Sequence, residues 1–209
     1  MRVSEIFRSL QGEGVLIGTP TVFIRTVGCN LECSWCDTEY SREGGEELSI
    51  EQIMAELDKH RTQFICLTGG EPLMQKDIIK LLDKLVDKCY HVTLETNGSL
   101  PLDDVPCSEN MLISMDIKCP SSGMEDRMLM SNIDLLSPAD QLKFVVADVD
   151  DLMYAEDILK SHEVRSNVIF TPVGGMELEP VARFVLSKKI NARVLPQLHK
   201  LIWGEQRGV

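Results

Sequence analysis

Residues 21 to 195 alternate between two hydrophobic rhythms, and this alternation restricts the possible folds more than any other feature of the sequence. Residues 21–27 (TVFIRTV), 64–68 (FICLT), 91–95 (HVTLE), 111–115, 141–146, 167–170 and 192–195 are short runs rich in β-branched and apolar side chains, the pattern of strands. Between several of them apolar residues recur every three or four positions. Residues 49–60 (SIEQIMAELDKH) place Ile50, Ile53, Met54 and Leu57 on one helical face, and Ser49 followed by Gln52 fits a capping box. Residues 76–88, 151–161 and 179–188 carry helical patterns too. Strand–helix–strand order at this spacing predicts an α/β fold, a mostly parallel sheet with helices packed outside it. No internal repeat, low-complexity tract or Pro/Gly/Ser-rich linker divides the chain, so one domain over residues 1–209 is expected.

Sheets of this kind present their functional loops at the carboxyl ends of the strands. The first such loop, after the strand at 21–27 and Gly28, carries Cys29, Cys33 and Cys36 in the spacing C-x3-C-x2-C. Three thiolates on one loop suit a [4Fe–4S] cluster that keeps one iron without a protein ligand. An open iron can chelate the amino and carboxylate groups of S-adenosylmethionine (SAM), where one electron cleaves a carbon–sulfur bond to give a 5′-deoxyadenosyl radical. Two blander readings stand beside this one: a zinc site completed by a distant His or Asp, and buried cysteines that bind nothing. The chain has 7 cysteines, an odd number that argues against a disulfide framework. Cys66, Cys89, Cys107 and Cys119 show no repeated ligand spacing, so no second cluster is expected.

The net charge of −12, with 33 acidic residues against 21 basic ones and no basic run, disfavours direct binding to nucleic acid or to an anionic membrane. The amino-terminal segment lacks an apolar stretch behind a basic one, and no run approaches the roughly 18 to 20 apolar residues of a membrane span. A cytoplasmic location is the expectation.

The cysteine spacing followed by Gly69, Gly70, Glu71 and Pro72 resembles the radical SAM superfamily, in which such a stretch contacts the methionyl amino group of SAM. Two glycines let backbone approach a ligand, and Glu71 has the chemistry to accept from an ammonium. Glu95, Thr96, Asn97 and Gly98 close a predicted strand where the superfamily places polar SAM ligands, although Asn97-Gly98 also reads as a plain turn. Asp116, Ile117 and Lys118, and further on Thr171, Pro172, Val173 and Gly174, end strands and are positioned to line the adenosine and ribose pocket. Trp35, Cys36 and Asp37 complete the expected SAM contacts, with Trp35 shielding the cluster from water.

Residues 7–14 (FRSLQGEG), Arg25, the Cys36-Asp37-Thr38 continuation and residues 197–200 (QLHK) together resemble the 7-carboxy-7-deazaguanine synthase family over essentially the whole chain. The resemblance implies conversion of 6-carboxy-5,6,7,8-tetrahydropterin to 7-carboxy-7-deazaguanine and ammonia, on the route to the deazapurine bases of tRNA. It implies hydrogen abstraction at C6, radical ring contraction and regeneration of SAM. It also implies Mg²⁺ held by Thr38, a homodimer, and an external one-electron donor of flavodoxin or ferredoxin type. On this reading Arg25 binds the substrate carboxylate through its planar fork, or else pairs structurally with one of the many acids. Leu10, Gln11, Gly12, Glu13 and Thr68 contact substrate, Glu13 and Gln11 reading the pterin's amide and amino edge. His199 reaches back over the mouth of the site, or is a surface histidine. At 209 residues the chain is short for a full barrel of this superfamily, so an abbreviated, incomplete barrel is expected; residues 201–209 match too poorly to assign Val209. Rival functions are an activase that makes a glycyl radical on a partner protein, and a zinc-stabilised binding module.

Overall fold

The computed structural model describes residues 1–204 and 206–209. Its strands are β1 (Arg2–Leu10), β2 (Pro20–Thr26), β3 (Glu46–Glu47), β4 (Phe64–Gly69), β5 (His91–Thr96), β6 (Met111–Lys118), β7 (Gln141–Val146), β8 (Asn167–Pro172) and β9 (Arg193–Val194). They form one nine-stranded sheet in the order β3-β1-β2-β4-β5-β6-β7-β8-β9. From β2 to β9 every pairing is parallel, whereas β1 runs antiparallel to both β2 and β3. The order is open at both edges, which is the incomplete barrel expected from the length.

The helices are α1 (Ile50–Leu57), α2 (Ile78–Asp87), α3 (Val149–Ser161), α4 (Leu178–Lys188) and α5 (Leu198–Trp203). Ser49 and Gln52 form the reciprocal capping box, each side chain bonding the other's backbone N–H. The apolar faces of α1 (Ile53, Met54, Leu57) and α2 (Ile78, Leu81, Leu82, Leu85) join the strand residues Ile24, Leu67 and Leu94 in one core. Each fully buried Leu or Ile there contributes about 1.5–3 kcal/mol relative to an exposed one. The links β5–β6 and β6–β7 carry no α-helix, and three short 3-10 turns span the second of them. Dropping these helices is how the fold fits its length.

The strand β1 lies outside the alternating region and is not apparent from pattern. Its sequence RVSEIFRSL has no clean period of two, and its pairing with β2 shifts register between Val3 and Glu5. None of the described helices is long and apolar enough to cross a membrane.

Candidate active site

A cavity of about 450 Å³ opens at the carboxyl ends of the parallel strands. The loop leaving β2 contributes Cys29, Cys33 and Cys36, all free, half-buried thiols in the cavity wall. A turn closed by Cys36 N–H donating to the Cys33 carbonyl shapes this loop. Asn97 at the end of β5 leans on it, with Nδ2 3.7 Å from Cys29 Sγ and 3.1 Å from Asn30 Oδ1. Burial raises the pKa of Cys33, the nearby Lys118 ammonium opposes that, and the neighbouring thiols Cys36 and Cys29 add to it. Lys118 lies over the Trp35 ring at 5.4 Å, and Trp35 Nε1 donates to Ser121 Oγ, so the indole is fixed beside the thiols.

The loop after β4 packs against the cysteine loop backbone to backbone. Glu71 N–H donates to the Gly28 carbonyl at 2.8 Å, and Gly70 sits where a Cβ would lie 1.9 Å from that same oxygen. Glu71 itself turns inward. Its fully buried carboxylate accepts from Leu73 N–H at 3.0 Å, from Asn97 N–H at 2.7 Å and from Thr96 Oγ1 at 3.0 Å, so it bolts the β4 and β5 loops together instead of lining the cavity. Burial pushes its pKa up to about 7 against the pull of these donors. Because that value lies above the ordinary 4.5, the native chain holds this proton more tightly than the unfolded chain, and the stability from Glu71 falls as pH rises from about 4.5 to about 7. Glu71→Gln sets an NH₂ group against one of two backbone N–H donors. We expect a loss of about 1–3 kcal/mol in chemical denaturation of the apoprotein, and an unchanged midpoint would refute the bolt.

At the opposite wall the β1–β2 loop and α5 meet. Leu198 N–H donates to the Gly12 carbonyl at 2.8 Å, and the His199 ring packs so closely on Gly12 that a Cβ there would fall 2.2 Å from Nδ1. His199 thus lines the cavity beside Gly12. Glu13 Oε1 accepts from Gln197 Nε2 at 2.8 Å, and Gln11 Nε2 points at the buried Cys66 thiol at 3.7 Å. Arg25 spans the two walls: Nε donates to Glu5 Oε1 at 2.7 Å, and the guanidinium stacks near the Phe7 and Tyr40 rings at 5.6 and 5.7 Å. The structural pairing of Arg25 with an acid is thus present, yet Arg25 also faces the cavity. Thr38 Oγ1 donates to Asp37 Oδ1 at 2.9 Å, and Lys200 of α5 lies 3.6 Å from Asp37 Oδ2.

Leu10, Gln11, Gly12, Glu13, Arg25, Thr68, Trp35, Asp37, Thr38, Gly70, Thr96, Asn97, Asp116, Lys118, Val173, Gly174 and His199 all line this cavity with the three cysteines. Four expected residues do not. Besides Glu71, Ile117 alternates to the opposite face of β6 and is part of the hydrophobic core; Thr171 is buried at 1% exposure and Pro172 is likewise buried within β8, two residues and one residue short of the open loop. The cavity is also lined by Tyr40, Arg42, Lys143, Arg207 and Gly208, to which the sequence assigns no role, together with Glu95, Gln197 and Val209. Arg207 lies 4.0 Å over the Tyr40 ring, which draws the unassigned tail onto the cavity. A lysine inside the otherwise apolar strand QLKFVV was the legible signal for Lys143.

Residues 23–108 match the Radical SAM superfamily. The 7-carboxy-7-deazaguanine synthase of Methanospirillum hungatei is 44% identical over 206 residues, covering 97% of this chain and 85% of that one. The chain belongs to the 7-carboxy-7-deazaguanine synthase family. The synthase of Thermoplasma acidophilum is 37% identical with both chains covered completely. The crystal structure of QueE from Escherichia coli shares the fold, with a TM-score of 0.76 at 24% identity over 95% of this chain and 94% of that one. Membership removes the activase and the zinc-stabilised module as readings, and it brings a [4Fe–4S] cluster, SAM and Mg²⁺ as the family's groups.

The residues present fit those groups. Three thiols of one loop share the cavity, and beside Cys36 the buried Arg42 Nε has no protein partner among the described residues. Gly174, at φ +78, leaves open space where a side chain would stand, so backbone is bare to a ligand at the end of β8. Among the described residues no three His, Cys, Asp or Glu side chains converge on one ion. A hard cation at the Thr38 and Asp37 oxygens would complete its shell with water and substrate oxygen.

Proposed function

We propose that this chain converts 6-carboxy-5,6,7,8-tetrahydropterin to 7-carboxy-7-deazaguanine and ammonia. The observation that carries the reading is one cavity holding the three thiols on one side and the Arg25, Gln11 and Glu13 wall on the other. Cys29, Cys33 and Cys36 would hold the cluster, Asn97, Lys118 and Gly174 would meet SAM, and together those groups supply the radical that takes hydrogen from C6.

The protein's own residues bind and orient. Only Nε of Arg25 is engaged among the described residues, which leaves the outer fork for the substrate carboxylate. Phe7 and Tyr40 hold the fork flat, and the Tyr40 hydroxyl also donates to Glu5 at 3.0 Å, so the guanidinium has one orientation. Gln11 and Glu13 offer donors and acceptors to the pterin edge, while α5 and His199 exclude water from above. Thr38 and Asp37 would hold Mg²⁺ against developing negative charge on the substrate. The reading includes a cytoplasmic homodimer that receives electrons from a flavodoxin- or ferredoxin-type protein.

Anaerobic reconstitution, then incubation with SAM, reductant, Mg²⁺ and the tetrahydropterin, is expected to give 7-carboxy-7-deazaguanine by mass spectrometry without matching net loss of SAM. Thr38→Ala is expected to keep the cluster and lose the Mg²⁺ dependence of turnover. SAM cleavage without product would leave the superfamily standing and remove this substrate; unaltered Mg²⁺ dependence would remove Thr38 from the metal.

A further inference from the structure

Lys143 lies in β7 between Leu142 and Phe144, and is itself only 4% exposed. An ammonium is costly to bury and is retained only where its donors are met. Here three carboxylates from three elements meet it: Glu95 Oε2 of β5 at 2.8 Å, Glu13 Oε2 of the β1–β2 loop at 3.1 Å, and Asp116 Oδ1 of β6 at 3.2 Å. The first two are hydrogen bonds, whereas Asp116 Oδ1 makes none and its partner oxygen takes the Lys118 ammonium at 2.7 Å. Ser114 Oγ donates to Glu95 Oε2 at 2.7 Å, and Gln197 Nε2 holds Glu13 Oε1. Glu13, Glu95 and Lys143 all reach the cavity wall. The cluster therefore sets three carboxylates against two ammonium groups, and Glu13 and Glu95 line the cavity.

We propose that Lys143 is a positioning residue for substrate: its ammonium binds Glu13 and Glu95 together and fixes their carboxylates, so that they present acceptors to the N–H groups of the pterin's 2-amino-4-oxo edge. This rests on the pterin reading above. A neutral carboxylic acid carries a donor where the edge also carries donors, so the ionised state is what permits the contact. Burial pushes the Glu95 carboxyl up, and Lys143 is the strongest influence holding it down, with Glu13 and Asp116 pushing the other way. Without Lys143 the three carboxylates share only Lys118, which already faces Asp116. The remaining titratable neighbour is the buried Cys66 thiol, itself pushed up by burial and by Glu95, and it supplies no positive charge. Glu95 then takes up a proton.

The test is anaerobic calorimetry on the reconstituted, SAM-loaded protein with 6-carboxypterin, the oxidised and unreactive form of the substrate. Lys143→Met is expected to weaken pterin binding about 100-fold at neutral pH, with affinity climbing as pH rises and Glu95 ionises. The wild type stays flat over that range, and SAM affinity stays near the wild-type value. Lys143→Arg keeps the charge on a fork of different shape and is expected to lose about tenfold. Unchanged pterin affinity in a folded Met variant overturns the proposal, as does parallel loss of SAM and pterin binding, the mark of a merely structural ion cluster. If the Met variant does not fold, the Arg variant decides: weaker pterin binding at wild-type SAM affinity supports the proposal, and unchanged pterin affinity overturns it. A wild type that binds SAM but no pterin defeats the substrate reading itself.

Discussion

Cys36→Ala yields a folded protein with neither a complete cluster nor detectable product. Cys36 sits on a loop, half-buried in the cavity wall and outside the hydrophobic core, so its thiol contributes little to the packing that holds the sheet together. Loss of a side chain in such a place changes stability by about 0.5 kcal/mol. Its chemical weight is of another order. The loop after β2 brings three thiols to the cavity, and a cube with one open iron uses every one of them. Two remaining ligands leave two irons open to solvent and to loss. The fall in turnover should lie well beyond the roughly 10- to 100-fold that changes behind the direct ligands of metal sites produce. Iron and sulfide content after anaerobic reconstitution, read beside the visible absorbance, checks the first half of the expectation, and product by mass spectrometry the second. Cys89→Ala and Cys107→Ala serve as controls: both thiols are exposed and away from the cavity, and both variants should load and turn over as the wild type does. A Cys36→Ala protein that retained four irons would show that the loop is not the cluster's seat.

The contrast between those thiols was legible in the sequence because it is local. Loop spacing, a strand delivering the loop, a capping box at Ser49 and the helical period of residues 76–88 are all set by neighbours a few positions apart, and each appears in the structure close to where it was expected. Ile117 was misplaced for an equally local reason: it follows Asp116 in sequence, but a strand sends successive side chains to opposite faces, and only Asp116 and Lys118 look into the cavity. The residue type and motif of Glu71 suit a ligand contact. Its actual partners, Leu73, Thr96 and Asn97, are fixed by how two loops meet, and two of them are the last residue of β5 and the residue after it. The Lys143 cluster was missed for the same cause. It joins residues 13, 95, 116 and 143, which share no motif and come together only when β5, β6 and β7 align in register. The register shift in β1 and the docking of α5 on Gly12 likewise depend on pairings that no window of sequence contains.

Gly70→Ala is expected to damage the site nearly as much as loss of a ligand, by a route that involves no chemistry at all. The added methyl would stand 1.9 Å from the Gly28 carbonyl oxygen, 2.4 Å from its carbon and 3.0 Å from Cys29 N, all of them backbone atoms with no rotamer to yield. Relief requires the two loops to part by more than an ångström. Parting breaks the hydrogen bond from Glu71 N–H to Gly28, and it drags Cys29 away from Asn97 Nδ2. Overpacking of this kind costs about 1–3 kcal/mol in stability, which a sheet with this core should survive. A displacement near 1 Å in groups that must act together costs about 100-fold in function. Cluster loading and SAM affinity should therefore fall together in the variant, measured by iron content and by calorimetry, while the far-ultraviolet circular dichroism stays native. Gly174→Ala makes the informative comparison, since its Cβ meets nothing within 4 Å. At φ +78 it strains the backbone and intrudes on the part of the cavity proposed for SAM, so it should weaken SAM binding and leave the iron content whole. If Gly70→Ala instead loaded a full cluster and bound SAM normally, the close approach of the β2 and β4 loops would be packing alone, and the position of Cys29 would have to be set by Asn97 and the turn between Cys33 and Cys36.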